Sequence, residues 1–409
     1  MSDLFPFQVE GAHWLAGRKF AMLGDQPRVG KTPQAIVGAV LARASRVGIV
    51  CPAIAIGVWE KALEDWSLGL FDYSIQSYDG ASQKGLAWGC DTYIFDEAHR
   101  LGHIESQRTQ NLLGLKSPAR SAQRVWALSG SFAPNHAGEL FPWLRFAGLF
   151  EGGYIDFLKR FTRWKLEQVG RRTRVPKIYG NNKHAMPALR ELLSPIFLRR
   201  TRRQVYPGQA LPIWSDILLA TNVAHNRLSV DKTIIVADAL PRDESEHIAT
   251  ARRLAGEIKA GPLGDHLAQE LSSMGDKIAV YGWHSSVMDI LHAKLAPFGL
   301  VRIDGSTPAA KRTQAVKAFR EDPAVRVVLG QTIAAGEAVD LSAAKRLVLA
   351  ELAWSEGANA QVTARMGGPN QQGQTFIQTT TLKGSIDEAV NAVLARKTRA
   401  IEEIYGEVA

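Results

Sequence analysis

Short apolar runs alternate with longer segments of helical periodicity along the whole sequence. The apolar runs are continuous, a pattern typical of parallel strands that are covered on both faces. They predict strands at 19–25, 47–52, 92–97 and 125–129 in the first half, and at 277–283, 300–304, 326–330, 346–351 and 375–380 in the second. The segments between them predict helices, among them 33–44, 285–296, 309–320 and one that begins at Ser385. We therefore expect an α/β protein with two doubly wound parallel-sheet lobes in tandem.

The boundary between the lobes is predicted from a change in composition. The stretch 205–264 contains Pro207, Pro212 and Pro241 and a polar run at 242–247. Proline and glycine interrupt regular elements, so this stretch is expected to be an irregular or helical connection. The predicted domains are a first lobe at 1–204, the connection at 205–264, and a second lobe at 265–409.

Composition excludes several protein classes. Of the 409 residues, 46% are hydrophobic and 22% are charged, the balance of a soluble globular protein. No apolar run approaches the length needed to span a bilayer, and the N-terminus has no charged-then-apolar leader. Two cysteines, Cys51 and Cys90, exclude both a four-thiolate zinc site and a disulfide framework. A reducing cellular interior is the expected location.

Charge gives the first positive indication of function. The formal net charge is +9, yet the stretch 159–204 alone contains fourteen Lys and Arg residues against two Glu, a local net charge of +12. A basic field of this density favours a polyanionic partner, most simply nucleic acid. The alternative is a solvated basic face without a partner, and charge alone does not decide between them.

The tripeptide Gly30-Lys31-Thr32 follows a predicted strand and opens a predicted helix. Backbone N–H groups at a helix start bind phosphate oxygens, which is the context that a phosphate-binding loop requires. Lys31 would contact the β- and γ-phosphates of a nucleotide, and the Thr32 hydroxyl would ligate Mg²⁺. The full pattern has glycine five residues before Gly30, where this chain has Asp25.

A second motif ends the predicted strand at 92–97. There Asp96-Glu97-Ala98-His99 follows four apolar or β-branched residues. Ligands of parallel sheets bind beyond the carboxyl ends of the strands, so Asp96 is placed to hold Mg²⁺ and Glu97 to orient or deprotonate the attacking water. An acidic helix start is the structural alternative. The two motifs in order favour nucleotide hydrolysis over it.

Asp-Glu-Ala-His is also the signature box of superfamily 2 helicases and translocases. The chain resembles the Swi/Snf-type branch of ATPases over nearly its whole length and is most similar to the annealing-helicase subgroup. Leu4-Phe5-Pro6-Phe7-Gln8 is similar to the adenine-recognition segment, and Leu128-Ser129-Gly130-Ser131 is similar to the motif that couples hydrolysis to lobe movement. Leu198-Arg199-Arg200-Thr201-Arg202 resembles a hallmark of this branch.

The second half resembles the same family. Ser306 and Thr307 match a loop near the DNA backbone, Gly336 matches a segment that contacts nucleotide and DNA, and Gln361 with Arg365 fits the start of the arginine-finger motif. The resemblance implies nucleotide contacts from Gln8, Arg28, Val29, Gly30, Lys31, Thr32, Gly336 and Gln361. It implies catalytic roles for Lys31, Asp96, Glu97 and Arg365, and DNA contacts from Arg199, Arg200, Arg202, Arg203, Ser306 and Thr307.

Two departures from the family pattern affect the expected rate. Gly368 stands where the family has a second arginine, and Gly367 where it has a histidine, so one positive charge at the γ-phosphate is missing. In the phosphate loop, Arg28 stands where relatives have glycine. One hypothesis is that Arg28 partly replaces the missing charge; the alternative is that its side chain points to solvent.

The resemblance implies a motor that uses ATP and Mg²⁺ to move on double-stranded or branched DNA, without sequence preference, in replication, repair or recombination. The nucleotide is expected in a cleft between the lobes. A monomer without membrane association is expected, in a bacterial or virus-infected bacterial cytoplasm, or in the nucleus of a eukaryote. The alternative function is a DNA-binding accessory protein with a weak or switch-like nucleotide site. An RNA helicase is a third, less favoured interpretation.

Overall fold

The computed structural model describes residues 4–169, 173–220, 242–332, 341–354, 356–366 and 373–406. The chain divides into two compact units. Residues 1–205 together with 397–409 form the first, and residues 206–396 form the second. Each unit is built on a six-stranded parallel sheet, so the predicted α/β class with two parallel-sheet lobes is confirmed. No helix within the described ranges is both long and apolar enough to cross a membrane.

The sheet of the first unit has the strand order β3-β2-β4-β5-β1-β8. Its strands are β1 (Phe20–Leu23), β2 (Arg46–Cys51), β3 (Asp72–Ser77), β4 (Thr92–Asp96), β5 (Arg124–Leu128) and β8 (Phe197–Leu198). The helices are α1 (Pro6–Ala16), α2 (Lys31–Leu41), α3 (Ile56–Trp66), α4 (Tyr78–Lys84), α5 (Gln107–Leu113), α6 (Phe141–Phe146), α7 (Tyr154–Phe161), α8 (Met186–Leu193) and α9 (Arg202–Val205). Two hydrophobic clusters cover the sheet. One contains Trp143 and Phe157, and the other Trp59 and Trp126, all buried.

A separate two-stranded antiparallel sheet interrupts this unit between α7 and α8. Its strands are β6 (Thr162–Val169) and β7 (Thr173–Asn181). We call these two strands, residues 162–169 and 173–181, the basic ribbon. The sequence pattern did not predict it, because the strands are rich in charged residues and lack the continuous apolar run of a buried parallel strand.

The sheet of the second unit has the order β11-β12-β10-β13-β14-β9. Its strands are β9 (Ile213–Leu219), β10 (Ile278–Gly282), β11 (Leu300–Ile303), β12 (Val327–Gln331), β13 (Arg346–Leu349) and β14 (Phe376–Leu382). The helices are α10 (Arg242–Ser273), α11 (Ser285–Leu295), α12 (Ala309–Glu321), α13 (Glu356–Ala364) and α14 (Ile386–Tyr405). The stretch predicted as a connection at 205–264 contains the edge strand β9 and most of α10. The boundaries 204 and 264 stay predictions, and α10 continues past the second of them.

Candidate active site

The carboxyl ends of β1, β5 and β4 lie side by side in the first unit. Leu23 and Asp96 are both in register with Leu128 of β5, which lies between them. The loop that follows β1 and the acidic residues that follow β4 therefore meet at the same edge of the sheet. This register brings together two motifs that are far apart in the sequence.

The loop after β1 turns sharply into α2. Gly30 is the N-cap of that helix and has a φ of 84°, in the left-handed region that favours glycine. A Cβ atom at Gly30 would lie 2.2 Å from Nε2 of Gln8, so the site has no room for a side chain. The N-terminal N–H groups of the eleven-residue helix α2 thus remain directed at the loop, which is the arrangement that binds phosphate.

Arg28 also has a left-handed backbone, with a φ of 68°. This explains why a glycine is favourable at that position, since a residue with a side chain costs about 1 kcal/mol there. Its side chain is half-buried and has an interaction partner. The idea that Arg28 replaces a missing arginine finger stays a prediction.

Lys31 is the first residue of α2 and its ammonium group lies over the loop. Nζ donates to the backbone oxygen of Asp25 at 2.7 Å and to that of Gln26 at 3.5 Å. Burial lowers the pKa of Lys31, whereas the charges of Glu97, Asp25 and Asp96 act to raise it. The amine therefore lies close to acidic groups, and its loop contacts are ones that phosphate oxygens can replace.

Asp96 is held by three contacts at the end of β4. Trp59 Nε1 donates to its Oδ2 at 2.9 Å, the backbone N–H of Glu97 donates to its Oδ1 at 2.9 Å, and the Tyr78 hydroxyl donates to its backbone oxygen at 2.7 Å. Burial, and then the nearby charge of Glu97, raise the pKa of Asp96 to about 6. A cation bound at this carboxylate would relieve both effects.

Glu97 has a left-handed φ of 51°, a sparsely populated conformation for a residue with a side chain. His99 Nδ1 lies 3.2 Å from its Oε2 and also 3.2 Å from Oγ of Ser129. Burial acts to raise the pKa of Glu97, but the hydrogen bond and charge of His99 outweigh it, so the pKa is lowered. The two neighbouring acids thus differ in proton affinity, and Glu97 keeps its charge to a lower pH than Asp96 does.

The residues present fit a hydrated Mg²⁺ held with a triphosphate. Among the described residues, no group of three or more His, Cys, Asp or Glu side chains could form a metal cage. Mg²⁺ does not need one, because it keeps several waters and is usually held by one or two carboxylates together with phosphate oxygens. Asp96 supplies such a carboxylate, and Thr32 is the second residue of α2, next to Lys31.

Gln8 contacts the phosphate loop directly. Its Nε2 donates to the backbone oxygen of Val29 at 3.0 Å, and its Oε1 accepts from the backbone N–H of Phe5 at 3.1 Å. Gln8 is 7% exposed and Val29 is fully buried. Gln8 therefore connects the start of α1 to the loop, and its role in reading adenine stays a prediction.

Arg200 lies in the protein interior rather than on an open surface. Its Nη2 donates to Oδ2 of Asp25 at 2.6 Å and to Oε1 of Gln34 at 2.6 Å, and its Nη1 donates to the backbone oxygen of Phe7. Asp25 is fully buried and the Arg200 side chain is 12% exposed. Asp25, which stands where the phosphate-loop pattern has its first glycine, therefore pairs with Arg200 in the interior of the first unit.

Arg199 is also engaged within the first unit. Its Nη1 donates to the backbone oxygens of Gly24 and Gly130 at 2.7 and 2.6 Å. The backbone N–H of Arg202 donates to Oε1 of Gln26, while Arg203 is exposed. DNA contact by these four arginines stays a prediction, and for Arg199 and Arg200 the structure provides protein partners instead.

The second unit carries the remaining predicted residues. Gln361 lies on α13 and Arg365 directly follows it; both are half-buried and have interaction partners. Ser306 and Thr307 form a turn with Asp304, whose Oδ1 accepts from both of their hydroxyl groups. Gly336, Gly367 and Gly368 lie outside the described residues. Nucleotide contact by Arg365 and DNA contact by Ser306 and Thr307 stay predictions.

Sequence reasoning missed the residues that position the two acids. Trp59, Tyr78 and His99 are separated in sequence and belong to no single pattern. Of the three, only His99 belongs to the same motif as the acid that it contacts, since Glu97 and His99 are both in Asp96-Glu97-Ala98-His99. Tyr78 is the first residue of the short helix α4, and no sequence motif identifies it as a partner of Asp96.

Two family models match the chain in succession. The SNF2-related domain matches residues 71–251, and the helicase conserved C-terminal domain matches residues 263–369. The first match includes Asp96 and Glu97, and the second includes Gln361 and Arg365. The chain is therefore similar to SNF2-related proteins over the first range and to the C-terminal domain of helicases over the second.

Curated relatives align with nearly all of this chain. It is 25% identical over 443 residues to the cattle protein named DNA annealing helicase and endonuclease ZRANB3, covering 97% of this chain and 40% of that protein. It is 25% identical over 442 residues to the Caenorhabditis elegans homologue of SWI/SNF-related matrix-associated actin-dependent regulator of chromatin subfamily A-like protein 1, covering 98% and 62%. The chain thus spans about two fifths to three fifths of these relatives' lengths. Both are animal proteins and add no support for a bacterial or viral setting, which stays a prediction.

A solved structure is also similar. The Sulfolobus solfataricus SWI2/SNF2 ATPase core in complex with dsDNA matches 98% of this chain and 92% of that chain, with 18% identity and a TM-score of 0.46.

Proposed function

We propose that this chain is a DNA-dependent ATPase of the SNF2-related family that couples ATP hydrolysis to movement along double-stranded or branched DNA. The observation that carries the proposal is the meeting of Lys31, Asp96 and Glu97, all half-buried, at one edge of the first sheet. The names of the relatives supply the substrate class, since annealing helicase describes work on DNA.

The chain's own residues divide the chemistry between them. Lys31 and the N-terminus of α2 bind and orient the β- and γ-phosphates. Asp96, with Thr32, would hold Mg²⁺, which supplies positive charge to the phosphate oxygens when bound. Glu97 is ionised and accepts the proton of the attacking water, so that hydrolysis yields ADP and phosphate. Arg365 would add positive charge from the second unit, and the absence of arginine at Gly368 favours a slow turnover.

Translocation would follow from alternate grips on DNA by the two units, with contacts to phosphates rather than base edges. Such binding is tolerant of sequence and falls steeply with salt. Ser129 contacts His99 and Gly130 contacts Arg199, which gives the loop after β5 a direct connection to the hydrolysis site. Mg²⁺, a monomeric state and the preferred DNA structure are parts of the same proposal.

Phosphate release by the purified chain tests this function. We expect stimulation by double-stranded or forked DNA, a decrease of turnover of about 100- to 10,000-fold in Glu97→Gln, and none measurable in Lys31→Ala. Lys84→Ala, an exposed lysine on α4, is the matched control and should behave as the unaltered chain. Turnover that no nucleic acid changes would favour the accessory-protein alternative. Stimulation by RNA alone would contradict the choice of DNA.

A further inference from the structure

Buried hydrogen bonds attach the basic ribbon to the rest of the first unit. At its base, Asn181 is 1% exposed, accepts from the backbone N–H of Ala137 at 2.8 Å and donates to the backbone oxygen of Ala400 at 3.0 Å. The Thr162 hydroxyl donates to the backbone oxygen of Leu158 at 2.8 Å. Away from this base, side chains of both strands are exposed. An eight-residue strand such as β6 extends about 26 Å.

The composition of the basic ribbon is strongly one-sided. The described residues 162–169 and 173–181 contain four Lys and Arg residues and one Glu. That single acid, Glu167, is already bound by Lys177 Nζ at 2.8 Å and by the Tyr179 hydroxyl. Arg163 and Lys165 are exposed, and no carboxylate in the described ranges forms an ion pair with either. The ribbon therefore presents more positive charge than its own acid can neutralise.

Register and strand alternation place this charge on one face. Lys165 is directly opposite Lys177. The register shifts between Arg163 and Trp164, where Arg163 is opposite Gly180, but Arg163 and Lys165 are two residues apart on the same strand and so share a face. Like charges opposite each other destabilise a strand pair. An isolated two-stranded ribbon is at best marginally stable in water. Lys177 is compensated by its ion pair with Glu167, but Arg163 and Lys165 add no such pair within the described part of the ribbon, which favours a role in binding.

The spacing of the face suits duplex DNA. Residues two apart on a strand are separated by about 6.6 Å, close to the rise of about 6.8 Å over two base steps of one DNA strand. A two-stranded ribbon also has dimensions that the major groove accepts. Val175, opposite Glu167 on the same face and 38% exposed, can lie against sugars without limiting the sequence bound.

We propose that the basic ribbon binds the phosphate backbone of duplex DNA through Arg163 and Lys165. The inference rests on the proposed function for its choice of DNA as the partner. It adds a binding element that lies outside the arginines of 199–203, two of which are engaged by protein groups. The competing explanation is that the charges only keep the open edges of a small sheet from aggregating.

The test is the salt dependence of affinity for a fluorescently labelled duplex, measured by anisotropy. Each phosphate that a cation no longer neutralises reduces the slope of log affinity against log salt by about 0.9. We expect the double variant Arg163→Ala, Lys165→Ala to reduce the slope by about 1.8, because two cations are removed from the interface. The double variant Lys84→Ala, Lys116→Ala removes the same charge from exposed positions elsewhere on the first unit and should leave the slope unchanged.

Two further variants separate charge from structure. The exchange Arg163→Lys, Lys165→Arg preserves charge and should keep the unaltered slope. Arg174→Ala removes a basic residue that pairs with Gln168, on the opposite face, and should have the smaller effect. Phosphate release without DNA should be the same for all variants, which checks that the first unit remains folded.

The outcomes distinguish this inference from the proposed function. Equal slopes for the ribbon variant and the unaltered chain would overturn the inference even if DNA stimulates hydrolysis, and so would aggregation of the variant with no change of slope. A decrease confined to single-stranded DNA or to RNA would overturn the choice of duplex. A reduced slope in a chain that releases no phosphate would uphold the ribbon and contradict the motor.

Discussion

Asp25 and Arg200 form a buried ion pair beside the phosphate loop. Asp25 is fully buried and accepts from Gln34 as well as from Arg200. Its backbone oxygen accepts from Lys31. A buried charge without its partner is costly, typically about 3–5 kcal/mol, so each member of this pair depends on the other. Arg200 therefore serves the interior of the first unit, although it belongs to a strongly basic segment.

We expect Arg200→Ala to lower the free energy of unfolding by about 3 kcal/mol, because Asp25 would be left as an uncompensated buried charge. Urea unfolding of the chain measures this. Arg203→Ala, which removes an exposed arginine three residues away, is the control and should change stability little. If both variants retained full stability and showed the same decrease in DNA affinity, the internal role of Arg200 would be wrong and its DNA contact supported.

At the scale of elements, Glu351 holds the end of β10 to the residues after β13. Its Oε2 accepts from the backbone N–H groups of Trp283 and His284 at 2.7 and 2.9 Å, and its Oε1 lies 2.6 Å from His284 Nδ1. Helix α10 is attached at the same place. The guanidinium of Arg252 lies 5.5 Å from the Trp283 ring and 5.1 Å from the Trp354 ring. One buried acid thus lies where three elements of the second unit meet.

The pKa of Glu351 predicts how this attachment responds to acid. Burial acts to raise it, but the hydrogen bonds from His284 outweigh burial and the pKa is lowered below 4.5. The carboxylate therefore contributes stability that is present above pH 4.5 and disappears as the pH falls through the lowered value. We expect Glu351→Gln to lower the urea midpoint near pH 7, with a difference from the unaltered chain that shrinks below about pH 4.5.

Glu321→Gln is the matched control for this titration. The pKa of Glu321 is also lowered, by its hydrogen bond with Arg320, but the side chain is 49% exposed and solvent screens it. Its replacement should leave the midpoint nearly unchanged at every pH. If the urea midpoint of Glu351→Gln were lower than that of the unaltered chain by the same amount from neutral to strongly acidic pH, the stabilising role of the Glu351 carboxylate would be wrong.

At the scale of the whole molecule, the last residues of the chain belong to its first unit. Helix α14 begins within the second unit, yet residues 397–409 group with residues 1–205. Tyr405 stacks on Phe197 with ring centroids 5.3 Å apart, and the Arg199 guanidinium lies 4.5 Å from its ring. Its hydroxyl accepts from the backbone N–H of Phe132 at 3.1 Å, immediately after the Ser129-Gly130-Ser131 loop. The chain end is thus part of the structure that supports this loop.

We expect Tyr405→Ala to destabilise the first unit by about 3 kcal/mol, through the removal of a packed ring, and Tyr405→Phe by about 1 kcal/mol, through the removal of one hydrogen bond. Hydrogen exchange at the Phe132 amide reports this hydrogen bond directly and should accelerate in both variants. Substitution of Tyr73, an exposed tyrosine on β3, is the control and should not alter it. Unchanged protection at Phe132 in Tyr405→Ala would contradict a supporting role for the chain end.

Nine strands of the two central sheets were predictable because a buried parallel strand is a continuous apolar run, a pattern that each of these strands shows by itself. All nine predicted strands appear, with shifts of a few residues at their ends. β3, β8 and β9 were not predicted. They lie at the edges of their sheets, where one side is open and polar residues are tolerated, so the pattern is weak. The basic ribbon escaped prediction for a related reason, since its strands form no continuous apolar run.

Lys31, Asp96 and Glu97 could be selected from the sequence because each stands at a fixed offset from the end of its own strand. The chain order alone also determined that the two strands end at the same edge, given a parallel sheet. Only the tertiary structure decided which side chains contact the two acids. Trp59 and Tyr78 donate hydrogen bonds to Asp96. His99 lies beside Glu97 and Ser129. The tertiary structure also decided that Arg200 pairs with Asp25. The sequence shows how many basic residues a segment contains, but only the packing of the chain shows which of them lies beside a buried carboxylate.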